Sequence, residues 1–279
     1  MLEKIKYINH IMEEMTWGES GIYVNHNDLR DFSWEYSSTN NKISSFNKGI
    51  VKKTVPIIIF CKNEEEGYKK RNALFELCEK DVIAKVHGKI IIGDYYLKCY
   101  VIGSKKSNYL GAKGYMETSL EVVTDFPSWV KETTTQFRSI SVEEGPGTVG
   151  SRNFDFNYDF PFDYSSEYND KKLNNSGFVG TAFKIIIYGS CNNPAISVNA
   201  HTYQVNVELS DNEYLTIDSM TKTIVLTKYD GKKENCFHLR NRDSYIFEPI
   251  PPGENVITWN GGFGFDVILL DERSEPKWT

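Results

Sequence analysis

Cysteine and histidine are scarce in this chain of 279 residues, which contains five of each. No two cysteines have C-x-x-C spacing, and no two histidines have the spacing of a metal-ligand pair. The G-x-S-x-G, P-loop and H-E-x-x-H motifs are also missing. We therefore expect no enzymatic activity, no catalytic residues, no metal site and no cofactor. The scattered cysteines are typical of reduced core thiols in a protein that folds in a cytosol.

Long apolar runs are missing as well. The longest ones, such as VPIIIF, are far too short to cross a bilayer. The first residues, MLEKIKYINH, place charges where a secretion signal needs its apolar stretch. We therefore expect a protein that is not exported by a classical route and has no membrane partner.

A strongly basic face is the third missing feature. The net charge is −6. Residues 1–132 carry 19 basic and 18 acidic side chains, and the remaining residues carry 13 basic and 20 acidic ones. This distribution argues against specific nucleic-acid binding. It also indicates two domains of different charge, which the chain length favours independently.

The composition is that of a globular protein, with 40% hydrophobic, 25% charged and 14% aromatic residues. The abundant Tyr and Phe favour strands, so a mainly β fold is predicted. In residues 1–132 the predicted strands are KIKYIN, DLRDFSWEY, GIVKKTVPIIIF, DVIAKV, KIIIGDYYLKCYVIG and GYMETSLEVVTD, and the pattern breaks at FPSWVKETT. One helix is predicted near 63–80, with Asn63 as N-cap and Glu66 three residues later.

Residues 133–152 are rich in Thr, Ser and Gly and are predicted to be a linker. Residues 153–271 show many short strand patterns separated by turn signals, which is typical of a sandwich or barrel. The patterns are FDFNYDFPFDY, TAFKIIIYG, SVNAHTYQVNVEL, EYLTID, KTIVLTKYDG, SYIFEPI, NVITWN and FGFDVILL.

Two weak chemical signals occur in the second domain. Asp155, Asp159 and Asp163 form an acidic row that could bind Ca²⁺ or act in glycoside hydrolysis, but period-2 alternation explains it as a solvated strand face. Four aromatic residues are candidates for stacking on sugar, although such residues more often lie in a core. They are Tyr203, Tyr214, Tyr245 and Trp259.

The segment 272–279 begins with ERSEPKW. Pro276 cannot extend a strand ladder, and Trp278 is a large aromatic residue in a charged context. We predict that the segment leaves the second domain and returns to the first domain or to a neighbouring subunit, with Trp278 as a buried anchor. The alternative is that Trp278 folds back onto its own domain. Arg273, Pro276 and Trp278 are therefore the candidate interface residues.

Several stretches, taken together and in order, are similar to the distal tail protein family of long-tailed phages or prophages of Gram-positive bacteria. In the first half they are GIYVNHNDLRDFSWEYS, GDYYLKCYVIGSKKSNYL and VVTDFPSWVKE. In the second half they are FNYDFPFDY, YLTIDSMTKTIVL, PPGEN and ERSEPKW.

This resemblance implies an N-terminal β-barrel-like domain with a helix, residues 1–132, which forms a hexameric ring. It implies a C-terminal galectin-like β-sandwich, residues 153–271, outside that ring. The expected role is a structural adaptor at the virion tail tip, assembled in the cytoplasm of the bacterial host. The expected partners are further copies of the chain, the tail tube protein, the hub or fibre protein and receptor-binding proteins. The alternative function is a carbohydrate-binding module that recognises the host cell wall.

Overall fold

The computed structural model describes residues 4–19, 21–110, 114–139 and 172–278. The described residues are mainly β with one long α-helix, which confirms the predicted fold class. The chain divides into two compact units. Unit 1 is Met1–Lys131 with Glu272–Thr279, and unit 2 is Glu132–Asp271. Within the described residues, no helix has the length and apolar character that a membrane span requires.

The first ten strands and the helix come from residues 5–137, and all of them except the end of β10 belong to unit 1. In chain order they are β1 (Ile5–Ile8), β2 (Glu14–Trp17), β3 (Ile22–Val24), β4 (Glu35–Thr39), β5 (Lys42–Asn47), β6 (Val51–Phe60), α1 (Glu64–Ala84), β7 (Gly88–Ile92), β8 (Tyr95–Leu110), β9 (Tyr115–Thr124) and β10 (Trp129–Phe137). Seven strands pair antiparallel in the order β2-β1-β7-β8-β9-β6-β3. Strands β4 and β5 form a separate two-stranded sheet.

Helix α1 begins as predicted. The Asn63 side chain accepts a hydrogen bond from the Glu66 backbone N–H at 2.8 Å, and the Glu66 carboxylate accepts one from the Lys62 N–H at 2.8 Å. These bonds satisfy donors at the start of the helix that have no partner within it. The helix ends four residues later than predicted, at Ala84, and Lys85 closes it with a left-handed φ of 57°.

The core of unit 1 joins α1 to the sheet. Leu74, Leu77 and Cys78 of α1 are buried in one cluster with alternating residues of the strands. The strand members include Ile57 and Ile59 of β6. Period-2 alternation therefore places one face of each strand in this core.

Unit 2 contains the remaining strands. They are β11 (Lys172–Asn175), β12 (Ala182–Tyr188), β13 (Cys191–Asn192), β14 (Ala195–Val198), β15 (His201–Gln204), β16 (Glu208–Leu209), β17 (Tyr214–Asp218), β18 (Thr223–Thr227), β19 (Lys233–Asn235), β20 (Gly253–Trp259) and β21 (Phe265–Arg273). The last two residues of β21 belong to unit 1. A short 3-10 helix spans Phe237–Leu239.

Two antiparallel sheets enclose the core of unit 2, and β13 pairs with β16 in a separate two-stranded sheet. One contains the run β19-β18-β17-β12-β21, and the other has the order β11-β20-β14-β15. Inward-facing residues of both sheets share one buried cluster, including Phe183 of β12, Leu215 of β17, Ile196 of β14 and Ile257 of β20. This is the sandwich predicted from the many short strand patterns.

Some predicted elements differ from the structure. DVIAKV, residues 81–86, is not a strand, because residues 81–84 are the last turn of α1, where Tyr7 and His10 bind Asp81, and Lys85 caps the helix. Residues 133–137, assigned to the linker, are the end of β10, because β-branched Thr residues suit an extended strand. Residues 244–250 are a loop rather than a strand, although Ile246 and Phe247 are buried, and prolines at 249 and 251 remove ladder donors. Residues 138 and 139 are the other described residues of the predicted linker. The rest of that linker and FDFNYDFPFDY lie outside the described residues.

Candidate interaction surfaces

Titratable side chains do not gather into a metal site anywhere in the described part of the chain. Asp155, Asp159 and Asp163, the acidic row, lie outside the described residues. All five cysteines are free, and burial raises the pKa of the Cys78 thiol to about 12. A thiol with such a pKa is protonated near neutral pH and is a poor nucleophile.

One fully buried polar group of unit 1 has a structural role. The Asp81 carboxylate, 0% exposed on α1, accepts hydrogen bonds from the Tyr7 hydroxyl at 2.6 Å and from the His10 backbone N–H at 2.8 Å. Its Oδ1 also lies 2.6 Å from His10 Nδ1. A Cβ at position 88 would collide with Asp81 and Tyr7, so glycine at Gly88 permits the close approach. Burial is the largest cause that raises the pKa of Tyr7 above its ordinary value.

Segment 272–278 lies on unit 1. The guanidinium of Arg30 donates from Nη1 to the Pro276 carbonyl oxygen at 2.8 Å. Ser274 borders a groove of about 220 Å³ that is also lined by Phe32 and Lys48. Partial burial lowers the pKa of Lys48, and the nearby Glu272 carboxylate opposes that shift.

The three candidate interface residues have different environments. Arg273 ends β21 and is half-buried, and Pro276 is buried. Trp278 is 75% exposed, so its role as a buried anchor within this chain is wrong. The Arg30 guanidinium lies 4.0 Å from the centre of its ring, and its indole N–H donates to Glu275 Oε1 at 2.6 Å. The guanidinium covers one face of the indole ring, and most of the Trp278 side chain remains exposed.

The most exposed apolar element of unit 1 is the hairpin of β4 and β5, which we call the 35–47 hairpin. Asn40 and Asn41 form its two-residue turn, with φ of 52° and 61°. Such left-handed pairs are typical of type I′ turns, whose twist matches that of the strands. Every residue of both strands is exposed.

One face of the 35–47 hairpin is apolar. Tyr36 lies directly opposite Phe46, and Ser38 lies opposite Ile43, so these side chains point to the same side. Trp34, two residues before Tyr36 and just outside β4, is exposed as well. The exposed fractions are 49% for Trp34, 66% for Tyr36, 56% for Ile43 and 59% for Phe46. The predicted strand DLRDFSWEY is wrong for residues 28–34, where the carbonyl oxygens of Asp28 and Asp31 bind Lys53 instead of a strand ladder, and it meets β4 only at residues 35 and 36. Strand β5 was not predicted, and the alternation gave no sign that the apolar side would be uncovered.

Buried or partly buried lysines hold the base of this hairpin. Lys53 is 5% exposed, and its ammonium group donates to the carbonyl oxygens of Asp28 at 2.8 Å and Asp31 at 2.5 Å. Desolvation lowers the pKa of Lys53, and the charges of Asp28 and Asp31 oppose this. Lys48 donates to Ser128 Oγ at 3.1 Å, with its Nζ 4.5 Å from the centre of the Trp34 ring. The chain is therefore anchored on both sides of the hairpin.

Unit 2 carries an open polar depression. His201, Asn241, Asp243, Ser244 and Tyr245 line part of it. Tyr245 is 53% exposed, whereas the sugar candidate Tyr203 is 1% exposed. The polar groups bond mainly to one another. His201 Nε2 is 2.9 Å from the Tyr245 carbonyl oxygen, and the Asn241 amide donates to Gln204 Oε1 at 3.1 Å.

The other two sugar candidates are poorly placed for stacking on a ligand. Trp259 packs against the core of unit 2, and Tyr214 is half-buried in β17. Only Tyr245, among the four aromatic residues considered, combines large exposure with a position in the depression.

Solved structures with the same arrangement of elements come from phages. The crystal structure of SPP1 Dit, described as a paradigm of the hub adsorption apparatus of phages that infect Gram-positive bacteria, gives a TM-score of 0.56 at 10% identity and covers 96% of this chain and 99% of that chain. Chains of the phage P2 baseplate in its activated conformation, with calcium and with strontium, give TM-scores of 0.62 and 0.61 at 10% and 11% identity. Both comparisons cover 99% of this chain and 100% of the other. The chain has the fold of a distal tail protein.

Comparison of the amino-acid sequence does not detect this structural similarity. No protein-family model and no curated protein matches the chain. At 10–11% identity, few positions are shared with the phage structures, so no functional residue is transferred from them. The distal tail fold predicted from the resemblance is confirmed.

Proposed function

We propose that this protein is a structural adaptor of a phage tail tip. Copies of the chain, six by the family resemblance, form a ring that joins the tail tube to the hub or fibre protein and to receptor-binding proteins. The supporting observation is a fold match that covers 96% or more of this chain and 99% or more of each phage protein. A sandwich module alone would account for only one of the two units.

In this proposal unit 1 forms the ring and unit 2 lies outside it. Residues 1–132 are almost neutral, with 19 basic and 18 acidic side chains, so copies can pack closely without strong repulsion. The remainder, with 13 basic and 20 acidic side chains, would repel its copies near the axis. The free, mostly buried cysteines are compatible with assembly in a reducing host cytoplasm.

Light scattering during size-exclusion chromatography tests the ring. The full chain should have six times its monomer mass of 32.1 kDa, and averages of negatively stained particles should show a closed ring. A protein that remains monomeric over a wide concentration range would contradict the proposal. Gold-labelled antibodies against the protein should mark the end of the tail in intact particles.

We further infer that the protein is not an enzyme, because its proposed role requires only surfaces that bind other tail proteins. Purified cell walls of the host should release no reducing sugar or peptide when incubated with the full chain. Release that disappears in Asp159→Asn or Asp163→Asn would overturn this inference.

A carbohydrate-binding module is the second candidate. The polar depression with the exposed Tyr245 favours it, since sugar sites combine an aromatic face with polar groups. The internal bonds of His201 and Asn241 count against it, because a sugar would have to replace them. Co-sedimentation of the full chain with host cell walls, lost in Tyr245→Ala, would support this candidate.

A further inference from the structure

Unit 1 has a second exposed apolar surface, on α1. Phe75, Val82, Ile83 and Val86 are 55%, 39%, 74% and 48% exposed. Val82 and Ile83, seven and eight residues after Phe75, share one side of the helix with it, and Val86 lies just beyond the end of the helix. Leu74, Leu77 and Cys78 face the core, so the exposed row, which we call the 75–86 face, lies away from it.

The 35–47 hairpin has a reason to need a partner. A two-stranded hairpin alone is marginally stable in water, and this one exposes every residue of both strands. Its anchored base at Lys48 and Lys53 nevertheless fixes its direction. A preorganised element loses less conformational entropy when it binds.

The two surfaces match in length and in charge. From Phe75 to Ile83 the helix rises about 12 Å, and the exposed stretch from Trp34 to Ser38 extends about 13 Å. Glu76 and Glu79 are exposed beside the 75–86 face, and Lys42 is exposed next to the hairpin turn. These three charges have no ion-pair partner in the described parts of the chain. The helix surface is therefore acidic beside its apolar row, and the hairpin is positively charged next to its turn, so the two surfaces are complementary in charge.

We propose that the 35–47 hairpin of one copy packs its apolar side on the 75–86 face of the next copy. This inference rests on the proposed ring, for which it names the contact between subunits. The two surfaces differ, so the contact is heterologous, and it builds a ring when its rotation between neighbours closes after a whole number of copies. Lys42 of one copy then faces Glu76 and Glu79 of its neighbour.

The exposed apolar area is sufficient for such a contact. Aromatic side chains bury about 150–250 Å² each, so four large side chains that are roughly half exposed offer about 400 Å². A stable interface covers about 800 Å² per partner, of which roughly 60% is apolar. The hairpin side therefore supplies most of the apolar part of one interface.

Photo-crosslinking of the full chain identifies the contact. Benzoylphenylalanine replaces Phe46, and the assembly is formed from a mixture of isotopically light and heavy copies. Crosslinked peptides should join position 46 of one isotope to residues 72–86 of the other. A ring whose crosslinks lead to another surface, or to the hairpin of a second copy, overturns the hairpin contact and leaves the ring proposal intact. A chain that does not assemble at all refutes both.

Exposed substitutions provide a second measurement. Tyr36→Ser with Phe46→Ser should raise the concentration at which the ring dissociates at least about thirtyfold, as for interface residues that dominate binding. Phe178→Ser is the matched control, because Phe178 is 91% exposed in unit 2 and lies outside both surfaces. Equal dissociation of the double variant and the control overturns the inference.

Charge reversal tests the orientation of the two elements. Lys42→Glu should weaken the ring, and adding Glu76→Lys and Glu79→Lys should restore it. Circular dichroism confirms that each variant keeps its fold. A Lys42→Glu defect that the reversed helix charges fail to reduce contradicts the proposed pairing.

Discussion

Asp266 should make the stability of unit 2 depend on pH. Its carboxylate, half-buried on β21, accepts a hydrogen bond from the Tyr188 hydroxyl at 2.8 Å. Burial raises the pKa of Asp266 from 3.8 to about 6, and the Tyr188 bond opposes this shift. The folded state therefore favours the neutral acid more than the unfolded state does.

The direction of the effect follows from this shift. The stabilisation is fully present below the unfolded pKa of about 3.9 and is lost as the pH rises through about 6. Two pKa units correspond to about 3 kcal/mol at most, and with residual solvent contact we expect an effect of about 1–3 kcal/mol. Asp266→Asn keeps an oxygen for Tyr188 and removes the titration.

Urea unfolding of the two proteins at several pH values measures the effect. The free energy of unfolding of Asp266→Asn minus that of the wild type should fall by about 1–3 kcal/mol from pH 7 to pH 4. The fall occurs because the wild-type chain gains stability as Asp266 becomes protonated. Asp211→Asn, at an exposed position of unit 2, should leave the difference nearly constant. A constant difference for Asp266→Asn as well would refute the reasoning, and the carboxyl titration of Asp266 by NMR would show why.

Three further changes test the packing within each unit. Tyr7→Phe should lower the free energy of unfolding of unit 1 by about 1.5–3 kcal/mol, because it removes a bond to the buried Asp81; a change near zero in chemical denaturation would contradict this. Asn175→Ala should cost unit 2 about 2 kcal/mol or more, since the Asn175 side chain bonds five groups; thermal unfolding at an unchanged temperature would exclude this role. Removing residues 274–279 should lower the unfolding temperature of unit 1, and Arg30→Ala should reproduce part of that loss. Equal unfolding temperatures for the wild type, the truncated chain and Arg30→Ala would show that the segment adds no stability.

Local signals predicted the elements whose causes lie within a few residues of sequence. The Asn63 cap and its bond to Glu66 place the start of α1, because both partners belong to the first helical turn. Period-2 patterns predicted most strands of unit 2, since alternation reports directly on one buried face. The end of α1 was missed because Asp81 is held by Tyr7 and His10, which are distant in sequence.

Contacts distant in sequence also decided the environments of the candidate interface residues. Pro276 and Trp278 stood out by residue type, but type alone did not tell which of them would be buried. The position of Arg30 decided this, since it bonds the Pro276 carbonyl and stacks on the open Trp278 ring. No local pattern relates residue 30 to residues 276–278.

Residue order was enough to predict the fold class, the alternating faces and the helix start, because propensity, capping and alternation act over short stretches of chain. Tertiary structure decided which of those faces is covered. The Phe32, Trp34 and Tyr36 alternation resembles that of buried strands, yet all three side chains are exposed, and Tyr36 lies on a hairpin that pairs with no other sheet in the described residues. Burial depends on which elements meet in space, and that is a property of long-range contacts rather than of the pattern within one strand.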